Sequence, residues 1–197
     1  AIAEARRSQH AHTLAFALTF AAVLGKHLRQ PELAGKHLDE LAKLAQTNGL
    51  QLWQATAALV LGWTRCATGD ASGLTLIQQA AEAAHSAMSA VEATFLAFWL
   101  DALFMLGHLE EAGQLAERCL NVIAQTQDHY LMPEIRRIQG EIRIAQSAHN
   151  GGNPGIPLIE EAIHEAEKQG AAMLALRAAN SLVRHAPSIA NQEVLAF

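Results

Sequence analysis

The sequence predicts an all-α fold: a right-handed helical solenoid of about four helix pairs plus a terminal helix, with residues 1–197 forming one repeat domain. Three observations carry this expectation. Hydrophobic residues make up 51% of the 197 positions but aromatics only 5%. The apolar content is therefore mostly Ala and Leu, which favours thin, closely packed helices over strands. Apolar residues recur at helical spacing almost without interruption. Finally, amphipathic helices alternate with helices that are apolar on nearly every side. A helix of the second kind must be covered on several faces, which is the position of a helix sandwiched in a stack.

The elements follow in order. An apolar helix is expected over 10–28. The next, over 32–47, sets Leu33, His37, Leu38, Leu41, Leu44 and Ala45 on one face, and Asn48-Gly49 stops it because both tolerate a left-handed backbone. An apolar helix over 51–68 ends at Gly69-Asp70, where Asp70 caps the free N–H groups of a helix over 71–87. That helix aligns Leu74, Ile77, Ala81, Ala84 and Met88. Ser89-Ala90-Val91-Glu92 fits a capping box opening an apolar helix over 91–107. Leu109, Ala112, Ala116, Cys119, Leu120 and Ile123 form the face of 109–126. After an apolar helix over 131–148, the stretch 150–155 reads as an irregular loop rich in Gly and Asn. Ile156, Ile159, Ile163 and Ala166 mark 155–169, Gly170 stops it, and a last helix covers 171–185.

The alternation is also a repeat. Gly69 and Gly107 end apolar helices about 38 residues apart, and Arg29 stands at the matching turn about 40 residues before Gly69. Two helices per period of this length mean a helical solenoid, with pairs near 8–48, 50–88, 90–127 and 130–170 and a terminal helix over 171–185. The chain begins with Ala1 and stops abruptly at Leu195-Ala196-Phe197, so a fragment of a longer protein is expected.

Small residues at the helix crossings carry a resemblance. Leu61-Gly62, Gly69 and Ala81, then Gly107, Ala112 and Cys119, then Gly140 and Ala162, and more loosely Ala22, Ala34 and Leu41, resemble the small-residue pattern of tetratricopeptide repeats. The Tyr, Phe and linking Pro of that pattern are absent. Four stretches narrow the likeness: His12 to Leu18, Gly107 to Ala112, Glu134 to Glu141, and Ala162 to Ala171 continuing into Leu176 to Leu182. Over most of residues 8–186 the chain resembles the C-terminal tetratricopeptide-like region of bacterial signal-transduction ATPases. Such proteins often carry a class III adenylate cyclase or a transcriptional-regulator domain. The resemblance implies a non-catalytic, cytoplasmic interaction or regulatory module. Its partner would be a protein or peptide segment, or another domain of the same full-length protein.

Charge and chemistry narrow the function classes. With 14 Lys and Arg against 19 Asp and Glu the net charge is −5, and no basic stripe suggests direct contact with nucleic acid. The most apolar stretch, 93–106, is interrupted by Asp101 and too short to span a bilayer. Cys66 and Cys119 lie in apolar helical stretches and read as buried thiols of a reducing compartment. Glu82-Ala83-Ala84-His85 and Glu161-Ala162-Ile163-His164 have the Glu-x-x-His spacing of di-iron bundles. They fall at different places in their repeats and on charged outer faces, so no metal, cofactor or catalysis is expected. The other histidines, among them His10, His12, His27, His37, His108, His129 and His149, are scattered near helix ends and turns.

An interaction module needs a binding surface. By the repeat alignment, mid-helix positions facing a concave groove hold Thr19, Val23 and Lys26, then Thr56, Leu59 and Trp63, then Ala97, Asp101 and Phe104, then Glu134, Arg137 and Glu141. Of these, Lys26, Trp63, Asp101, Phe104, Glu134, Arg137 and Glu141 are the candidate partner-binding residues. Each has a plainer alternative. Trp63 and Phe104 are ordinary core residues, and Glu134, Arg137 and Glu141, three and four apart, form a surface ion-pair ladder. Asp101, alone in an apolar helix, either meets Arg65 or Lys26 or contacts a ligand. An apolar pocket around Trp63, Phe104 and Met105 holding a small effector is the second functional reading. Exposed apolar ends of an uncapped array also make a homodimer an expected association.

Overall fold

The computed structural model describes residues 1–87, 89–147 and 153–186, with side chains except at 84–90. Among the described residues every regular element is helical and no strand occurs. The chain forms two compact units, Ala1–Leu106 and Gly107–Phe197.

The first unit holds α1 (Ile2–Arg7), α2 (Ala11–His27), α3 (Pro31–Gly35), α4 (Leu38–Thr47), α5 (Gln51–Ala67), α6 (Gly73–Ala87) and α7 (Ser89–Met105). Capping chemistry sets the ends. The His10 imidazole accepts from the Thr13 N–H at α2, and the Asp70 carboxylate accepts from the Ser72 N–H ahead of α6. At the C-terminal ends, N–H groups reach back five residues: Gln30 to the Gly25 carbonyl, Leu50 to Ala45 and Asp70 to Arg65. These are Schellman closures, which need one residue in the left-handed region. Gly49 and Gly69 supply it at φ +65° and +87°, but Arg29 occupies the equivalent turn at φ +57°.

Two elements differ from the sequence expectation. α1 lies ahead of the first expected pair. The helix expected over 32–47 is broken into α3 and α4 at Lys36-His37. Gly35 weakens the helix there, and the Lys36 N–H closes a tighter bond to the Leu33 carbonyl. The expected Ser89 capping box and the Ala84 and Met88 face positions fall outside the described side chains.

α5 is the centre of this unit, packing on α2, α3, α4, α6 and α7. Its core joins Leu59, Val60, Trp63, Ile77, Phe95 and Phe98. A smaller cluster of Ala15, Leu18, Leu41 and Ala57 lies between α2, α4 and α5. α5 and α6 approach so closely that a Cβ at Gly62 would lie 2.6 Å from the Gly73 carbonyl oxygen and 2.7 Å from Ile77 Cγ1.

The second unit contains α8 (Leu109–Thr126), a 3₁₀ turn (His129–Leu131), α9 (Met132–Gln146), α10 (Ile156–Lys168) and α11 (Ala172–His185). α9 packs on α8, α10 and α11. Ile156, Ile159, Ile163, Ala178 and Leu182 form its principal cluster. The α9–α10 crossing repeats the α5–α6 one: a Cβ at Gly140 would meet the Gly155 carbonyl oxygen at 2.7 Å and Ile159 Cγ1 at 2.7 Å. Residues 150–152 of the expected loop lie outside the described residues.

Among the described residues, no helix is long and apolar enough to cross a membrane. Cys66 and Cys119 are buried and unbridged. Burial, helped by the Asp70 charge, pushes the Cys66 thiol up to about 11.

Candidate functional site

The expected groove residues in the first unit gather around Asp101. Asp101 is fully enclosed and Lys26 is 2% exposed. The last turn of α2 and its closing turn bring two cations to the carboxylate. Lys26 Nζ stands 3.4 Å from Oδ2, and Arg29 donates Nη1 to Oδ2 at 2.8 Å and Nη2 to Oδ1 at 2.6 Å. From α5, the Trp63 indole N–H donates to Oδ2 at 2.8 Å. Lys26 Nζ also lies 4.9 Å from the centroid of the Phe98 ring, a cation–π distance. A charge removed from water must be paired and hydrogen-bonded, and Asp101 is both. The cluster ties α2, α5 and α7 together. Of the two partners expected for Asp101, Lys26 is present and Arg65 is not. Arg29 was missed because its role depends on a backbone conformation that an Arg rarely adopts.

A second cluster lies in the other unit, between α9 and α11. Arg137 donates Nε and Nη2 to the Glu134 carboxylate at 3.1 and 2.9 Å and Nη1 to Glu141 at 3.0 Å. From α11, Arg177 makes a second paired contact with Glu134 at 3.1 and 2.7 Å. The Ser181 hydroxyl donates to Glu141 at 2.5 Å, Arg184 Nη2 at 2.7 Å, and the His185 Nε2 lies 3.2 Å away. Burial alone would raise the Glu134 pKa, but Arg137 and Arg177 hold it well below the ordinary carboxylate value. Glu141 is likewise lowered: burial opposes, and Ser181, Arg137, His185 and Arg184 prevail.

The expectation of an open groove therefore does not describe these positions. Thr19, Lys26, Thr56, Leu59, Trp63, Ala97, Asp101, Glu134, Arg137 and Glu141 are buried, while Val23 and Phe104 are half-buried. The reason is that α5 and α7, and α9 and α11, pack directly on one another. The ladder expected on the surface at Glu134, Arg137 and Glu141 is an interior seam. Its signal was present but unread: Arg177, Ser181 and Arg184 form a complementary polar stripe along α11.

Open grooves of the first unit lie elsewhere, one along α1 and α2 and one beside α5. A groove of about 780 Å³ runs between α3–α4 and α5. Leu38, Ala42, Ala57, Ala58 and Leu61 give it an apolar floor, and Glu32, Asp39 and Arg65 stand on its edges. Sequence reasoning passed over it because it depends on the α3–α4 break. Gly35 inside an amphipathic pattern was its one local signal.

Of the two Glu-x-x-His pairs, only Glu161 and His164 have both side chains described. Glu161 and His164 are exposed beside a polar depression with His129 and Arg136, and Arg136 lies 3.9 Å from Glu161. Glu82 accepts from Gln78 at 2.9 Å, and the His85 side chain lies outside the described residues. Among the described residues, no three His, Cys, Asp or Glu side chains are grouped to hold a metal. His12 accepts from the Trp53 indole at 3.0 Å. No protein-family model, curated protein or solved structure matches the chain.

Proposed function

We propose that this chain is a non-catalytic interaction module, a tetratricopeptide-like array of helix pairs that binds a segment of a partner protein. The partner is a separate protein or another domain of a larger bacterial signalling protein. The supporting observation is the open, apolar-floored groove between α3–α4 and α5. Its neighbouring interior charges are consumed in pairing with one another, so they act as braces for a fixed scaffold. The closely crossed hairpins α5–α6 and α9–α10, each hinged on a pair of glycines, favour the helix-pair repeat. The net charge of −5 speaks against nucleic acid as the ligand.

In this reading binding is burial of an apolar segment in a preformed surface, with no covalent step. A display screen of helical peptides against the immobilised, folded chain checks it. Reversible enrichment of a common apolar pattern is the expected outcome. A folded protein that enriches nothing above a blank surface would refute the reading.

A further inference from the structure

We propose that the groove between α3–α4 and α5 docks an amphipathic helix whose apolar stripe is bordered on one side by lysine or arginine; this rests on the partner-binding reading above. The floor supplies the first requirement. Ala42, Ala57 and Ala58 fill little of the trough with their methyl groups, and Leu61, 38% exposed, presents its side chain to solvent. A trough between two helices accepts the ridge of a third. Its 780 Å³ is of ligand-holding size but open along its length, which suits a rod better than a small molecule.

The edges supply the second requirement. Glu32 and Asp39 stand exposed on the α3–α4 wall. Among the described residues neither lies within ion-pair distance of a cation. Lys36 and Lys43, one helical turn further on, do not line the groove. Arg65 stands exposed on the α5 wall. The groove thus has an acidic lip and a basic one. A helix that sets cations over Glu32 and Asp39 and an acid toward Arg65 satisfies both, and the wrong polarity is repelled.

A second copy of the chain is a poorer occupant. Its longest exposed apolar stripe, Phe16, Phe20 and Leu24, runs along α2, whose single Lys or Arg, Lys26, is buried, and the exposed Leu176 and Val183 of α11 offer only two points of contact.

The test uses two synthetic peptides of about 18 residues, five helical turns. Both carry leucines at i, i+4 and i+7; one is flanked on one side by lysines, its twin by glutamates. Fluorescence anisotropy with the whole chain should show the lysine peptide binding roughly five-fold tighter. Amide shifts should map to Leu38, Ala58 and Leu61. Leu61→Asp should abolish binding, and Glu32→Lys with Asp39→Lys should reverse the preference in a chain that stays folded, with a small drop in melting temperature because both acids sit in first helical turns. Equal binding of the twins, survival of binding in Leu61→Asp, or no binding of either peptide overturns the proposal. So do shifts centred on Phe16 and Phe20, or a dimer seated in the groove. The partner-binding reading stands or falls separately, on the display screen.

Discussion

Asp101 shows how a residue that looks like a ligand contact becomes a brace. Its carboxylate holds Lys26, Arg29 and the Trp63 indole in an enclosed space. Removing the charge takes from Lys26 and Arg29 the buried carboxylate they share, and breaking a buried pair costs about 3–5 kcal/mol. Asp101→Asn is therefore expected to lower the urea stability of Ala1–Leu106 by about that amount. Trp63→Ala should do comparable damage through the cavity it leaves, about 3–5 kcal/mol. Arg29 adds a second lesson. Its left-handed backbone at φ +57° costs a non-glycine residue about 1 kcal/mol, and the bidentate contact with Asp101 offsets that. Arg29→Ala loses the contact and keeps the strain, whereas Arg29→Gly loses both. In thermal melts Arg29→Gly should retain about 1 kcal/mol more stability than Arg29→Ala.

At the scale of elements, the helix ends and the apolar faces of the amphipathic helices were readable, and the burial of the polar positions was not. Gly49, Gly69, Gly107 and Gly170 all take positive φ, and the expected ends fall within two residues of them, because capping is local chemistry. The partners of α9 lie about 40 residues further along the chain, and a polar residue has the same spacing whether it meets water or a distant side chain. Gly62 and Gly140 turn this into a prediction. Alanine favours a helix by about 1 kcal/mol over glycine, yet Gly62→Ala drives a Cβ into the Gly73 carbonyl. A net loss of about 1–3 kcal/mol is expected, read as a lower denaturant midpoint. The α9–α11 seam predicts acid sensitivity. The pKa values of Glu134 and Glu141 are depressed by folding. Their stabilisation is complete above the unfolded carboxylate pKa and fades as pH falls through the folded values. The hydrogen-exchange protection factors of α11 should therefore fall below about pH 4.5, and Glu134→Gln should flatten that dependence.

For the whole molecule, each compact unit carries one buried thiol, Cys66 in the first and Cys119 in the second. Thiolate is the reactive form, and Cys66 is both enclosed and raised to about 11. Labelling by a maleimide should be slow in the native state and fast in denaturant. Asp101→Asn should accelerate it at Cys66, as read by peptide mass. The all-helical class was legible in composition and period because those are averages over many residues. The interior position of the charges was not, since a lone Asp in an apolar helix has the same sequence signature whether it meets a ligand or a lysine. The α9–α11 seam has one more consequence. Faces made of Ala, Leu and Ile are nearly interchangeable, so one helix could slide a turn along its neighbour at little loss. With Arg177, Ser181 and Arg184 keyed to Glu134 and Glu141, a slipped α11 would break these cross-helix bonds and leave the two carboxylates to share Arg137 alone, at a cost the apolar contacts do not recover. The seam works as a proofreading device during assembly: it rejects wrong registers that the greasy contacts alone would accept.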